Sequence, residues 1–574
     1  MLNIFRFLKP WRWSIAGLMT LVAIQVMSDL FLPTLMADII DNGVMQGDTD
    51  YILKIGGYML MVTLFSICCA ILASKVSSVV AAGFGQVLRA EVFTKVSQFS
   101  LHEFDQFGSS TLITRATNDI TQIQMVSLMI ARMMIMAPML AVGGIVMAFT
   151  KDHQLTWVLV VAVPALVGLV WFIARKTIPL YSSIQIKIDR LNSTLREALT
   201  GVRVIRAFNR VDHEHKRFDS ASADLSDTYV HVNKLIAFML PGLMLIMNLT
   251  TLAVLWFGFE RIESNTLQLG SLIAFTQYAM QILFGFIMMS VMFNVLPRAQ
   301  AAALRIDEVL HVVPTIVDPL HATASTAAAA VEFKEVNFRY PGAEALALKN
   351  ISFRAEPGKV TAIIGSTGAG KSTLMSMIPR FYDVESGGIE VGGVDTRQYT
   401  QQVLRQRIAY VPQQVTLFKG SVKQNLLLAN PEADDAQLTL AITTAQAKSF
   451  IGALEGGMDF ALQPGGRNLS GGQRQRVAIA RALARPAEIY LFDDSFSALD
   501  FTTDAKLRAA LKKELLDATV IIVAQRIGTV MDADQILVMD EGQIVGRGTH
   551  TQLLESCPTY QEIVASQLRV EDVA

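Results

Sequence analysis

The chain has 574 residues, too many for one compact domain, and 52% of them are hydrophobic with a mean hydropathy of +0.40, which excludes a wholly soluble protein. The formal net charge of −1 leaves no overall basic excess, and no nucleic-acid partner is expected. Cys68, Cys69 and Cys557 lack metal-ligand spacing and read as buried or inert thiols.

The apolar excess lies mostly before residue 300, so the chain reads as half membrane, half soluble. Its start, MLNIFRFLKPWRW, has basic and aromatic residues but no small-residue cleavage site, and is expected to be an interfacial helix. Six apolar stretches follow, near 14–42, 51–80, 126–150, 155–175, 236–259 and 270–296, each at or above the ~20 residues a spanning helix needs. Arg6, Lys9 and Arg12, then Arg89 and Lys95, then Arg175 and Lys176 fall on one side of these spans, which the positive-inside rule assigns to the cytoplasm. The expected location is the cell (plasma) membrane, multi-pass, with both the N-terminus and the soluble half cytoplasmic.

Connections on the other side are short, whereas the two internal cytoplasmic ones are long and never become loop-like. Each is expected to form two helical arms joined by a turn, and arms of 20 residues reach ~30 Å beyond the membrane. The turns fall in SLHEFDQFGS, around Phe104 to Phe107, and in LTGVRVIRAF, around Val202 to Ala207. Both suit docking on another domain.

Inside the spans, Asp29 is an acid at membrane depth, which either attracts a cationic drug or pairs near the outer interface. Lys75 and Arg132 are expected where the helices approach water. Met133, Met288 and Phe286 are candidate lining residues of a substrate cavity, although methionines and aromatics such as Phe284 and Phe293 equally fill helix packing. The expected domains are therefore a transmembrane domain over 1–310, a small-residue linker over 311–330 that includes HATASTAAAA, and a soluble domain over 331–574.

The soluble half carries the chemistry. The strand-like VTAIIG runs into GSTGAGKST, in which Gly365, Ser366, Thr367, Gly368, Ala369, Gly370, Lys371, Ser372 and Thr373 form a P-loop ahead of a helix. Its glycines let backbone N–H groups close around phosphates, Lys371 supplies a cation, and Ser372 ligates magnesium, so ATP and Mg2+ are the expected cofactors. Further on, Ile489 to Phe492 read as a buried strand ending on Asp493, expected to hold the metal, and Asp494.

Between them lies LSGGQRQRVAIARAL, and Leu469, Ser470, Gly471, Gly472 and Gln473 resemble the signature motif of ATP-binding cassette (ABC) proteins. Tyr340 resembles the family's adenine-stacking aromatic, and Gln413 the glutamine linking metal and membrane domain. Ser497, Ala498, Leu499 and Asp500 resemble the loop crossing between two cassettes. EALTGVRVIRAFNR is similar to the second cytoplasmic connection of cassette exporters. The resemblance covers nearly the whole chain. It implies an all-α six-helix transmembrane domain followed by an α/β P-loop nucleotide-binding domain, working as a dimer in which each ATP lies between one cassette's P-loop and the other's signature.

Two positions depart from the family. Where it has a glutamate to activate water, this chain has Asp494, one methylene shorter, a withdrawal of ~1.5 Å. Where it has a histidine at the γ-phosphate, this chain has Gln525, which hydrogen bonds but carries no charge. The pattern resembles the degenerate-site subunit of bacterial heterodimeric multidrug exporters. It implies a second half-transporter with Glu and His in its own site, contact with membrane lipid, and a small amphipathic substrate. Alternatives are a homodimeric exporter of lipid or peptide, and an ATP-gated channel or sensor.

Overall fold

A computed structural model describes residues 2–264, 266–323 and 327–571. The chain divides into two compact units, Met1–Ser97 with Ser109–Val312, and Gln98–Gly108 with Val313–Ala574.

In the first unit, six helices among the described residues are long and apolar enough to cross a membrane, and the chain is a multi-pass membrane protein. They run Asn3–Val44, Thr49–Ser97, Ser109–Lys151, Thr156–Thr200, Val211–Glu263 and Leu269–Met289, the last continuing as helix to His311. The second is 49 residues long, about 73 Å at 1.5 Å per residue, more than twice the ~30 Å hydrocarbon core. Helical arms thus extend well past the apolar stretches. Only 11–44% of each most apolar window is buried, so leucines and valines face outward where lipid replaces water.

The sixth span packs along the third and the first along the second. Leu18, Val22, Val26 and Leu30 recur every fourth residue and bury one stripe of the first span, against a core that includes Phe275, Tyr278 and Ile282 of the sixth. The Tyr278 hydroxyl is satisfied by Thr34 Oγ1 at 2.7 Å and the Leu30 carbonyl at 3.0 Å. Gly285 is required by close approach, since a Cβ there would lie 2.9 Å from the Ala137 carbonyl oxygen. Cys69 is buried, whereas Cys68 is exposed on the second span. Beyond the apolar segments charged pairs take over, with Arg305 bidentate on Asp119 (2.7 and 2.5 Å) and Lys187 on Asp224 (2.6 Å). The second long connection turns through a short helix, Val202–Ala207, whose Val204 and neighbouring Phe208 are exposed.

In the second unit, residues 98–108 form a helix, Leu101–Phe107, started by a capping box between Ser100 and Glu103. Glu103 also accepts from the Thr315 backbone N–H at 3.1 Å, which ties this turn to the start of the soluble half. Strands β1 (Val331–Phe338), β2 (Leu348–Ala355), β4 (Ser386–Val391) and β5 (Val394–Asp395) form an antiparallel sheet in the order β2-β1-β4-β5. Strands β3 (Val360–Gly365), β6 (Ile408–Val411), β9 (Ile489–Asp493), β10 (Thr519–Val523), β11 (Gln535–Asp540) and β12 (Gln543–Gly548) form a second sheet, β12-β11-β3-β10-β9-β6. Only β12 runs antiparallel there, and β7 (Gly420–Ser421) with β8 (Ala461–Leu462) make a small separate pair. Every residue of β9 and β10 is buried, the mark of a parallel sheet covered on both faces.

Candidate functional site

β10 lies between β3 and β9, with Val523 opposite both Ile363 and Asp493. β9 and β10 therefore end level and β3 runs two residues further to Gly365, so the chain leaves all three at their carboxyl ends as the P-loop, as Asp493-Asp494 and as Ala524-Gln525. Ligands of open parallel sheets bind beyond the carboxyl ends of the strands. Here that edge opens on a cavity of about 490 Å³ whose lining includes Tyr340, Lys371, Ser372, Gln413, Asp494 and Gln525. Thr367, Gly368, Gly370 and Thr373 also line it.

Gly370 adopts φ +94° just before the helix Lys371–Met377, which an L side chain would resist. Gly368 (φ +86°) faces open space, with nothing within 4 Å of where a Cβ would stand. The P-loop thus leaves room for a phosphate group to approach its backbone. Lys371 Nζ donates to the carbonyls of Gly365 (2.8 Å) and Ser366 (2.7 Å), curling over the loop. Burial pushes its ammonium below the usual lysine range, while Asp494 and Asp493 pull the other way.

Ser372 Oγ donates to Asp493 Oδ1 at 2.9 Å, which brings a hydroxyl and a carboxylate from opposite walls together. Hard oxygen donors few in number suit Mg2+, which keeps most of its water shell. No cluster of three His, Cys, Asp or Glu that could hold a metal gathers among the described residues, here or elsewhere. The residues present fit a nucleotide-bound magnesium.

Asp494 is the most constrained residue of the site. Its backbone sits at φ +47°, rare for a residue with a side chain, and is held there from both ends. Its N–H donates to the Val523 carbonyl (3.0 Å), and its carbonyl accepts from Ser497 Oγ (2.9 Å) and Gln475 Nε2 (3.3 Å). On the side chain two amides converge on one oxygen, Oδ2: Gln525 Nε2 at 2.9 Å and Gln413 Nε2 at 3.4 Å. Burial pushes the Asp494 carboxyl above the ordinary range, against the hydrogen bond from Gln413 and the charge of Lys371. Raised proton affinity suits a base.

Tyr340 is partly exposed, its hydroxyl shares a hydrogen bond with Thr373 Oγ1 (3.0 Å), and its ring meets Phe338 and Tyr382 edge-on. Ser470 caps the helix Gly471–Leu483 by accepting from the Gln473 N–H (3.3 Å), while the Gln473 side chain accepts from the Ser470 N–H (2.9 Å). Gly472 is packed so that a Cβ would lie 3.0 Å from the Ala498 carbonyl oxygen. Leu469 and Leu499 are buried, as is Ala369 within the P-loop, and Asp500 caps the following helix through Thr503. None of Leu469 to Gln473 lines the P-loop cavity of its own chain.

Three residues escaped the sequence reading. Gln475 holds the Asp494 backbone, Arg526 donates to the carbonyls of Leu499 (3.0 Å) and Ser497 (2.8 Å), and Gln567 brackets Gln525. The Gln567 amide donates to the Gln525 carbonyl (2.7 Å) and accepts from the Ile527 N–H (2.8 Å). Proximity in sequence to known motifs flags Gln475 and Arg526, whereas nothing local marks Gln567, 42 residues away.

In the membrane unit, Met133 and Met288 line one cavity together. Asp29 lies outside it and accepts from Ser66 Oγ at 2.7 Å, and Phe286 packs into the helix core. The side chain of Phe293 lies outside the described residues.

The model of the ABC transporter transmembrane region matches residues 15–286, and that of the ABC transporter domain matches residues 348–497. An uncharacterized ABC transporter ATP-binding protein of Mycobacterium tuberculosis (strain CDC 1551 / Oshkosh) is 43% identical, covering 98% of this chain and 97% of the relative. An ATP-dependent lipid A-core flippase of Vibrio vulnificus is 28% identical, covering 98% and 96%. The solved structure of a bacterial Atm1-family ABC exporter with ATP bound superposes with a TM-score of 0.81 at 24% identity, covering 97% of this chain and 98% of that one.

Proposed function

Since this chain belongs to the ABC transporter family and is built as an ABC exporter, we propose that it is one subunit of a heterodimeric exporter whose own P-loop site binds ATP and hydrolyses it poorly. Its cargo on this reading is a drug or other amphipathic small molecule, moved out across the cell membrane with the soluble unit in the cytoplasm. The observation that carries the proposal is the bond from Gln525 to Asp494, which engages the two substituted side chains with each other.

On this reading Tyr340 offers a ring face to adenine, the P-loop N–H groups and Lys371 hold the phosphates, and Ser372, Gln413 and Asp493 hold the metal. Bound magnesium would supply charge neutralisation at the phosphates. Asp494, anchored at both ends of its backbone, stays withdrawn from the position of an attacking water. Ser470 to Gly472 stand at an exposed helix N-terminus, suited to complete a site on another chain. A partner with glutamate and histidine at these positions would then turn over ATP against this chain's signature, and the turns Leu101–Phe107 and Val202–Ala207 would pass the cassette motion to the spans.

The test is to purify the chain alone and together with candidate partner half-transporters, and to measure ATP hydrolysis. Low turnover alone with high turnover in a pair is expected, and brisk hydrolysis by the chain alone would sink the proposal. A second reading, a homodimeric lipid exporter, is favoured by the 28% identity to a lipid A-core flippase, and predicts that brisk homodimer activity.

A further inference from the structure

We propose that the cavity between the second, third and sixth spans is a binding site for an anionic amphiphile, with Arg132 as the group that receives its acidic head. The inference rests on reading the chain as an exporter and names the substrate class of its membrane half. The cavity measures about 450 Å³, within the range that holds a small-molecule ligand. The second span contributes Ser74, Ser77 and Ser78, and the third and sixth contribute Arg132, Met133 and Met288 among others.

Arg132 stands six residues inside an apolar stretch that begins near 126, about 9 Å along the helix. Arg132 is expected where the third span nears water, and a guanidinium walled by methionines there is still costly unless something neutralises it. Three other arginines where the helices pack have carboxylate partners: Arg305 has Asp119, Arg115 has Glu308, and Arg261 has Asp152. Among the described residues Arg132 has no ion pair and no hydrogen bond, and no carboxylate lines its cavity. Asp29, the acid in the first span, is outside the cavity and already accepts from Ser66.

The rest of the wall fits an amphiphile. A guanidinium with serine hydroxyls beside it presents several donors and a fixed positive charge, the set that receives phosphate, sulfonate or carboxylate oxygens. Methionines and Phe284 supply an adaptable apolar wall for the tail. A cationic amphiphile would instead bring like charge against Arg132. The same chemistry serves the headgroup of an acidic phospholipid and a free anionic amphiphile.

The experiment is native mass spectrometry of the full chain in neutral detergent, titrated with dodecyl phosphate, dodecyltrimethylammonium, inorganic phosphate and phosphatidylglycerol. Dodecyl phosphate is expected to bind roughly tenfold more tightly than dodecyltrimethylammonium, with the preference lost in Arg132→Gln and largely kept in Arg132→Lys. Inorganic phosphate should compete weakly, since it has no tail. Equal binding of the two amphiphiles, an unchanged preference in Arg132→Gln, or competition by inorganic phosphate as strong as by dodecyl phosphate overturns the proposal. Competition by phosphatidylglycerol assigns the site to a lipid headgroup, and its failure assigns it to a free amphiphile; either upholds the acidic head. Binding of a fluorescent ATP analogue reports that each variant is folded. The readout needs neither hydrolysis nor a partner, so brisk homodimer ATPase activity would leave this inference standing.

Discussion

Gln525 Nε2 donates to Asp494 Oδ2 at 2.9 Å, so the two residues that depart from the cassette pattern are hydrogen-bonded to each other. Each is fixed from behind as well, Asp494 through its backbone partners and Gln525 through Gln567. The pair is coupled, and its members should not behave additively on substitution.

Replacing both, Asp494→Glu with Gln525→His, should raise ATP turnover at this site by roughly 10- to 100-fold, the scale of a 1 Å correction in placement. Each single change should recover less than half of that gain in logarithmic terms. Steady-state phosphate release by the chain paired with a partner whose own site is disabled measures it. No gain in the double variant would place the limit elsewhere.

Lys371→Ala removes the cation of the P-loop together with its bonds to the Gly365 and Ser366 carbonyls. Binding of a fluorescent ATP analogue should weaken by roughly 10- to 100-fold, the loss of one or two charge-assisted hydrogen bonds. Thermal stability without nucleotide should change little, because the lysine is already disfavoured by burial. Retained affinity would contradict the phosphate role.

Gln567→Ala should loosen the segment 525–527, which loses a donor and an acceptor at once. The expected destabilisation is about 1–2 kcal/mol locally. Hydrogen exchange should speed up at the Ile527 amide, and nucleotide binding through Lys371, which Gln567 does not contact, should hold. Unchanged exchange at that amide would rule out the bracket.

Glu103 provides a pH dependence outside the membrane spans. Burial acts to raise its carboxyl, but hydrogen bonds from Ser100 and Thr315 outweigh it and hold the group below the usual range. A depressed folded value adds stability that is present above the unfolded value, about 4.3, and is lost as pH falls through the folded one. Glu103→Gln should therefore unfold at lower temperature than the parent near neutral pH, with the gap closing below about pH 4. Thermal scans of the full chain across pH 3–7 test the sign; a gap that widens on acidification would refute it.

The spans were legible because about 20 consecutive apolar residues have few other uses, and the P-loop because its glycines and lysine are spaced by the phosphate they fit. The long helical connections were legible too, since they lack turn residues where a loop would need them. Harder to see was which membrane-depth residues face a common space. Met133 and Met288 share a cavity with Arg132, whereas Asp29 and Phe286 do not, although all four sit in equally apolar sequence. Period and composition describe one helix at a time, and facing is a property of several.

The sequence by itself determined the division into membrane and nucleotide-binding halves, the P-loop between strand and helix, and the presence of Asp494 and Gln525 where the motifs it resembles have other residues, because each is written in local spacing or in a single residue's length. Only the tertiary structure decided that those two side chains bond each other, that Gln567 brackets one of them from 42 residues away, and that Arg132 opens on a cavity with no carboxylate among its described lining residues. The physical reason is that strand order and helix packing bring together residues far apart in the sequence, and the hydrogen bonds and unpaired charges that result depend on distances no single segment contains.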